Sequence, residues 1–352
     1  MAKIITAIDL GSKRIAAAMA AIRKNGTFAV LALENLISRG ISGGNIVDIN
    51  KAVEDISSIM GKLQKKGARK ERNVFVTTKG PDVEFLVSHG MVALSRTPRE
   101  ITKRDVEKCL SVAGMVRIPA NKAMAQKITK NFYIDDMPTN VENPIGLYGL
   151  KLESEVYIAT LTLSKIQNIT KCVDHAGFLL SGIYLSSVAS AGGILEDREK
   201  ENGVLVIDVG NSISEALIFR NNMLKSYCLV QRGANFILDK DAHVDNNRRD
   251  ALLKDIFSSM PEKEGFLSAA VTGGGALLDG VIEETEKTFR VPARIGIAKN
   301  AGRDLNTQDA IIHTPTLGLI GQKAEEYKRY HAYANPFRKA SHKILDIYES
   351  YF

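Results

Sequence analysis

Tryptophan is absent from these 352 residues, cysteine occurs three times, proline nine times, and aromatic residues make up 6%. Cys109, Cys172 and Cys228 are widely spaced and form no C-x-x-C pair, which excludes a disulfide framework and a zinc ribbon and points to buried thiols in a reducing compartment. No apolar run is long enough to span a bilayer, and the N-terminus enters a strand at once without a charged leader, so a cytosolic chain is expected. The six histidines are scattered, and the basic patches lack interleaved aromatics. Zinc chemistry, a Ser/His/Asp arrangement and nucleic-acid binding therefore have no support. Net charge is +7, spread along the chain, and the basic stretch Lys62 to Arg72 reads as a solvated helix end and loop. With 45% hydrophobic and 25% charged residues the composition is that of a soluble globular protein long enough for two domains.

What is present is a near-duplicate. Ile8-Asp9-Leu10-Gly11-Ser12-Lys13 and Ile207-Asp208-Val209-Gly210-Asn211-Ser212 each end one apolar run and precede another, which reads as strand, glycine turn, strand. Glycine lets backbone N–H groups approach an anion, Ser12 or Ser212 adds a hydroxyl, and Asp9 or Asp208 at the strand end suits a hydrated Mg²⁺. A single such motif is an ordinary hairpin. Two copies and a third glycine site, Thr272-Gly273-Gly274-Gly275-Ala276, change the reading. There an apolar strand runs through three glycines into an expected helix carrying Leu277, Leu278, Val281, Ile282 and Phe289, a place for a nucleotide at a helix N-terminus.

Strands alternate with helices in the rest of the chain, and the two hairpins lie about two hundred residues apart, so two related α/β lobes are expected. A helix starts at Asp48 or Asn50 and closes at Gly67. From about Asp82 to Lys151 short strands surround one helix capped by Thr102 and Asp105. Glu155 to Leu163 returns to a core strand, Ser164 caps a helix ended by Gly177, and Ser186 to Leu195 is a small-residue helix suited to a close crossing. Between Gly233 and Phe266 only helical patterns occur, one beginning at Asp245.

Together these features resemble the actin-like ATPase superfamily, and within it FtsA, the bacterial actin relative that tethers the FtsZ division ring to the membrane. The likeness covers nearly the whole chain. It is carried by the hairpins, by Arg99 to Val106, by Asn143 to Gly149, by Asn168 to Lys171, by Val188 to Ala191 and by Thr272 to Ala276; the Asn-Pro-Ile-Gly element and the helix entry at Arg99 lie in what looks like the insertion that distinguishes FtsA and its pilus relative PilM from actin. The resemblance implies a two-lobed actin-like α/β fold with an inserted α+β subdomain. Residues 1–82 and 152–196 would form the first-lobe core, 83–151 the insertion, 197–232 and 266–323 the second-lobe core, 233–265 a reduced subdomain, and 324–334 a linker. It further implies ATP and Mg²⁺ as cofactors. Gly11, Ser12 and Lys13 would line one side of the phosphates and Gly210, Asn211 and Ser212 the other, with Asp9 and Asp208 near the metal and Gly273, Gly274 and Gly275 backing the adenosine.

Two departures bear on activity. The second hairpin continues as Ser212-Ile213-Ser214-Glu215, where the family has two threonines and an aspartate, and the subdomain that holds ribose and base is cut down to Gly233 to Phe266. Hydrolysis is expected to be slow at most, and no general base stands out. Residues 335–352 read as an amphipathic helix, with Phe337, Ile344, Leu345, Tyr348, Tyr351 and Phe352 on one face and Arg338, Lys339 and Lys343 flanking it, similar to the family's membrane-targeting helix. The implied role is an ATP-binding adaptor on the cytoplasmic face of the membrane, with anionic lipids, FtsZ or other division proteins and further copies of itself as partners. A PilM-like scaffold of a pilus or secretion apparatus, and a sugar or acetate kinase on the same fold, are the alternatives.

Overall fold

The computed structural model describes residues 2–137, 139–141, 143–299 and 305–333. The opening hairpin is β1 (Lys3–Leu10) and β2 (Arg14–Ile22), antiparallel from Lys3↔Ile22 to Leu10↔Ile15. Both strands are buried over most of their length, and β2 is apolar at every position after Arg14, as a sheet covered on each side requires. β3 (Phe28–Ile37) extends that sheet, a small hairpin of β4 (Ile41–Ser42) and β5 (Asn45–Ile46) follows, and α1 (Ile49–Gly67) lays Ile56, Ile59, Met60 and Leu63 into the core. Asp48 caps α1 by accepting from the Lys51 N–H. The helix ends at Gly67 as expected, but the left-handed cap is Ala68 (φ 48°), whose N–H reaches the Gln64 and Lys65 carbonyls. β6 (Asn73–Thr78) then pairs parallel with β1.

The next segment builds its own sheet. β7 (Glu84–Ala93), β8 (Arg99–Glu100), α2 (Lys103–Ala113), β9 (Lys122–Ile134), β10 (Tyr148–Gly149) and β11 (Lys151–Thr162) follow in order, with β7, β11 and β9 forming a three-stranded sheet in the order β7-β11-β9. The Thr102 and Asp105 side chains close a reciprocal cap on α2. Two expectations are corrected here. The strands are long, 10, 12 and 13 residues for β7, β11 and β9. Glu155 to Leu163 is expected as a first-lobe core strand; Leu163 opens the next helix, and Glu155 to Thr162 lies at the centre of this sheet, because β11 pairs along its length with β7 on one side and β9 on the other and buries Val156 and Ile158 against Ala113, while Ala159 and Leu161 do pack into the first-lobe core.

α3 (Leu163–His175) begins after Thr162, whose N–H and hydroxyl both donate to Asp82. Ser164 therefore sits inside the helix and does not cap it. β12 (Leu179–Leu185) completes the first sheet beside β6, and α4 (Ser186–Ile194) and α5 (Asp197–Asn202) lead to the second lobe. There β13 (Val204–Val209), β14 (Ser214–Arg220) and β15 (Met223–Val230) form a meander. α6 (Ala234–Ile237) and α7 (Asn246–Ser259) follow, α7 capped by Asp245 as expected; β16 (Ser268–Thr272), α8 (Val281–Phe289) and β17 (Ala293–Ile295) complete the lobe. The first sheet runs β12-β6-β1-β2-β3 and the second β17-β16-β13-β14-β15, with the same polarities. The lobes are copies of one topology.

After residue 304 the chain returns to the first lobe. α9 (Thr307–Ile312) leads into α10 (Thr314–Tyr333), which places Leu317, Leu319, Ile320 and Ala324 on Ile5, Ala7, Ala18 and Ala20 of the first sheet and crosses α4 closely. Residues expected in the second-lobe core up to 323 thus cover the first sheet, and 324–333 continue as helix. The small-residue character of α4 has its reason in that crossing: a Cβ on Gly318 would lie 1.9 Å from the Ala189 carbonyl oxygen. Phe337 to Phe352, expected from the sequence to target a membrane, lie outside the described residues. Among the described residues, no helix is long and apolar enough to cross a membrane.

Candidate functional site

The two hairpins face each other across a cleft between the lobes. Asp9, Gly11, Ser12, Lys13, Asp208, Gly210, Asn211, Ser212, Gly273 and Gly274 all line it. Gly275 does not: it is buried, and a Cβ there would lie 2.2 Å from the Val209 side chain. The helix expected at the glycines starts later, because residues Gly274–Leu277 form a 3₁₀ turn and α8 begins only after Gly280 (φ 73°). Apolar walls come from Leu238, Leu277, Leu278, Ile311, Ile312 and Pro315.

The duplication can be read residue by residue in the registers. Asp9 stands beside Ala16 across the hairpin and Thr77 on the parallel strand; Asp208 stands beside Glu215 and Thr272. Gly11 and Gly210 occupy the same turn position, where a Cβ would come within 2.5 Å of the Arg14 and 2.6 Å of the Ile213 carbonyl oxygen, so both hairpins need glycine for the same reason. Gly273 (φ 79°) allows β16 to pass Asp208, whose Oδ1 would lie 2.4 Å from a Cβ.

The electrostatics of the two copies differ. In the first, Asp9 Oδ1 accepts from Thr77 Oγ1 and Ser186 Oγ, each at 2.7 Å. Burial nevertheless raises its carboxyl above the ordinary aspartate value, against those two bonds and the charge of Lys79. In the second, Glu215 lies directly opposite Asp208 where the first lobe has Ala16. Like charges facing each other across a strand pair are destabilising. Lys79, just beyond β6, answers them: its Nζ is 2.8 Å from Asp208 Oδ2 and 3.8 Å from Glu215 Oε2. Burial opposes the charge of Lys79, but Asp208 and Glu215 more than offset it and lift its pKa above the lysine norm. Glu215 is fully buried; its carboxyl is raised by burial, and Oε1 accepts from Tyr227 Oη at 2.6 Å.

Ser12 Oγ accepts from the Gly44 N–H at 3.0 Å, tying the first hairpin to the β4–β5 turn. α6 grips the second hairpin, as the Ala234 and Asn235 N–H groups donate to the Gly210 and Asn211 carbonyls at 2.8 and 3.0 Å. Two hydroxyls of the lining, Thr272 Oγ1 and Ser190 Oγ, are buried without a hydrogen-bond partner among the described residues. Thr272 and Ser190 lie in stretches already singled out, but Lys79, Thr77 and Ser186 escape a reading by motif. Aligning the two lobes would have found Thr77 and Lys79, since Thr77-Thr78-Lys79-Gly80 corresponds to Thr272-Gly273-Gly274-Gly275.

Comparison with known proteins places this geometry. Residues 80–160 match the family model described as the SHS2 domain inserted in FTSA. Cell division protein FtsA of Borreliella burgdorferi is 26% identical over 396 residues, covering 97% of this chain and 94% of that protein. FtsA of Pseudomonas aeruginosa is 29% identical over 228 residues, covering 65% of this chain and 54% of its relative. Among solved structures, the PilM-PilN type IV pilus biogenesis complex superposes with a TM-score of 0.62 at 13% identity, over 91% of this chain and 98% of that one. The ethanolamine utilization protein EutJ from Carboxydothermus hydrogenoformans gives 0.51 at 13% identity, over 90% and 89%. The architecture is the actin-like ATPase fold.

Proposed function

We propose that this chain, an FtsA-like homologue of actin, is a cell-division protein that binds a nucleotide in its interlobe cleft and tethers division components at the cytoplasmic face of the membrane. The observation that carries the reading is the FtsA-type insertion, residues 80–160, set into a duplicated fold whose two glycine hairpins meet in one cleft. The cleft suits a nucleotide on its own chemistry. Glycines at 11, 210 and 273 leave room for backbone approach, the orphaned hydroxyls of Ser190 and Thr272 await a polar partner, and Leu277, Leu278, Ile311 and Ile312 offer an apolar wall to a base. In this reading the backbone of residues 11–13 and 210–212 holds phosphates, with Lys13 adding charge, and Gly273 and Gly274 lie against the nucleoside. ATP is the nucleotide expected, with turnover slow at most, because Ile213 stands where the family has a hydroxyl.

The membrane claim rests on residues 335–352, with Phe337, Ile344, Leu345, Tyr348, Tyr351 and Phe352 entering the interface and Arg338, Lys339 and Lys343 meeting anionic headgroups. Flotation with anionic vesicles compares the intact chain with one ending at Ala334; equal flotation removes the tether. Titration with a fluorescent ATP analogue tests the cleft, with binding expected for the intact protein and weakened by Asp208→Ala. A pull-down against FtsZ decides between a division partner and a pilus or secretion role, for which the likeness to PilM supplies the fold alone.

A further inference from the structure

The Mg²⁺ ion expected at Asp9 and Asp208 meets a difficulty in the residues themselves. A divalent cation needs carboxylate oxygens that it can reach and whose charge no other cation balances. Here the floor of the cleft already holds one: the Lys79 ammonium, 2.8 Å from Asp208 Oδ2 and 3.8 Å from Glu215 Oε2. It also lies beside the turn of the second hairpin, 3.2 Å from where a Gly210 Cβ would be. Asp9 is occupied separately by Thr77 and Ser186.

The duplication shows what is added in this lobe. In the first lobe the residue opposite the aspartate is Ala16; in the second it is Glu215. Lys79 itself is the counterpart of Gly274, so the acid in one lobe and the cation from the other meet across the cleft. Glu215 Oε2, fully buried and without a hydrogen-bond partner among the described residues, has the Lys79 charge as its neighbour. Only 15% of the Lys79 side chain is exposed, and it lines the cleft between both hairpins.

We propose that Lys79 is a built-in cation that takes the place of the divalent metal: its ammonium pairs with Asp208 beside the buried Glu215 and lies in the cleft, where an anionic ligand meets it without Mg²⁺. That the ligand is a nucleotide rests on the reading above; that Lys79 stands in for the metal does not. A tethered ammonium provides one charge at a fixed place, without the ligand geometry that an octahedral ion imposes.

The test has an arm free of nucleotide. Thermal unfolding of the wild type, Lys79→Arg and Lys79→Met is followed in EDTA and in millimolar Mg²⁺. Mg²⁺ should leave the wild type and Lys79→Arg unmoved and raise the Tm of Lys79→Met by about 2 °C or more, since Asp208 and Glu215 then lack their cation. A wild type stabilised by Mg²⁺ overturns the proposal, and so does a folded Lys79→Met that ignores it. Should Lys79→Met not fold, recovery of folded protein only with Mg²⁺ supports the proposal, and the wild-type arm still decides. In the second arm, ATP-analogue affinity of the wild type should agree within about threefold between EDTA and Mg²⁺, while Lys79→Met in EDTA weakens by about tenfold or more. Wild-type binding that requires Mg²⁺ sinks the lysine assignment and keeps the nucleotide reading. Absence of binding in every protein, with Mg²⁺ stabilising only Lys79→Met, does the reverse.

Discussion

Two glycine-to-alanine substitutions in helices of the same lobe should act in opposite directions. Gly61 lies in the middle of α1, exposed, with nothing within 4 Å of the position a Cβ would take. Alanine there restricts the unfolded chain and favours the helix, so Gly61→Ala should stabilise by about 0.5–1 kcal/mol. Gly318 lies in α10, where a Cβ would come 1.9 Å from the Ala189 carbonyl oxygen and 3.1 Å from the Gly193 nitrogen. The obstacle is backbone and cannot rotate away, so α10 and α4 must separate by about 1 Å or more to reach ordinary contact distance. Overpacking of that kind costs about 1–3 kcal/mol, which exceeds the helix-propensity gain of about 1 kcal/mol. The two variants should therefore differ by roughly 2 kcal/mol in urea unfolding followed by circular dichroism, with unchanged m-values. α4 also carries Ser186, which donates to Asp9, and Ser190 of the cleft lining, so Gly318→Ala should weaken nucleotide binding while Gly61→Ala should not. Equal stability of the two variants would refute the packing argument. A destabilised Gly318→Ala with intact binding would separate the crossing from the site.

Burial holds the His313 imidazole down to about 4 from its ordinary 6.5, so the folded protein resists protonation that the unfolded chain accepts. Stability should accordingly fall as pH drops from 6.5 toward 4, by up to about 3 kcal/mol. His313→Leu should flatten the urea midpoint across that window, and an unchanged slope would assign the loss elsewhere. Gly273→Ala forces a left-handed alanine (φ 79°) whose Cβ meets Asp208 Oδ1 at 2.4 Å. A loss of about 1–3 kcal/mol is expected together with weaker ATP-analogue binding, read by chemical denaturation and titration. Tyr157 Oη donates to the Lys225 carbonyl at 2.7 Å, joining the inserted sheet to the second lobe. Tyr157→Phe should lose about 1 kcal/mol in the same unfolding assay, and no change would mean that water replaces the phenol at that joint.

The sequence by itself determined what local chemistry controls. A glycine followed by a polar residue between two apolar runs makes a hairpin wherever it lies, so both hairpins, the Thr102 cap and the Asp245 cap were legible, and the spacing of the two motifs revealed the duplicated lobes. Most of the cleft could be read for the same reason: its polar floor is built from the turns themselves, and ten of the eleven residues expected at the nucleotide line it. Gly275 was the exception, because whether a glycine faces a cleft or the Val209 side chain depends on a neighbouring strand. Tertiary structure alone decided the remainder. β11 reads as a core strand by composition but pairs with β7 and β9, since a strand's sheet is chosen by partners some 20 to 70 residues away. Leu317 and Ile320 face the first sheet because the chain folds back after the second lobe, which helical period cannot reveal. Lys79 read alone is a lysine after a strand. It becomes the cation of the site only when the fold places it against Asp208 and Glu215, residues 129 and 136 positions farther along the chain, in a cleft where no charge can stay buried without an opposite one beside it.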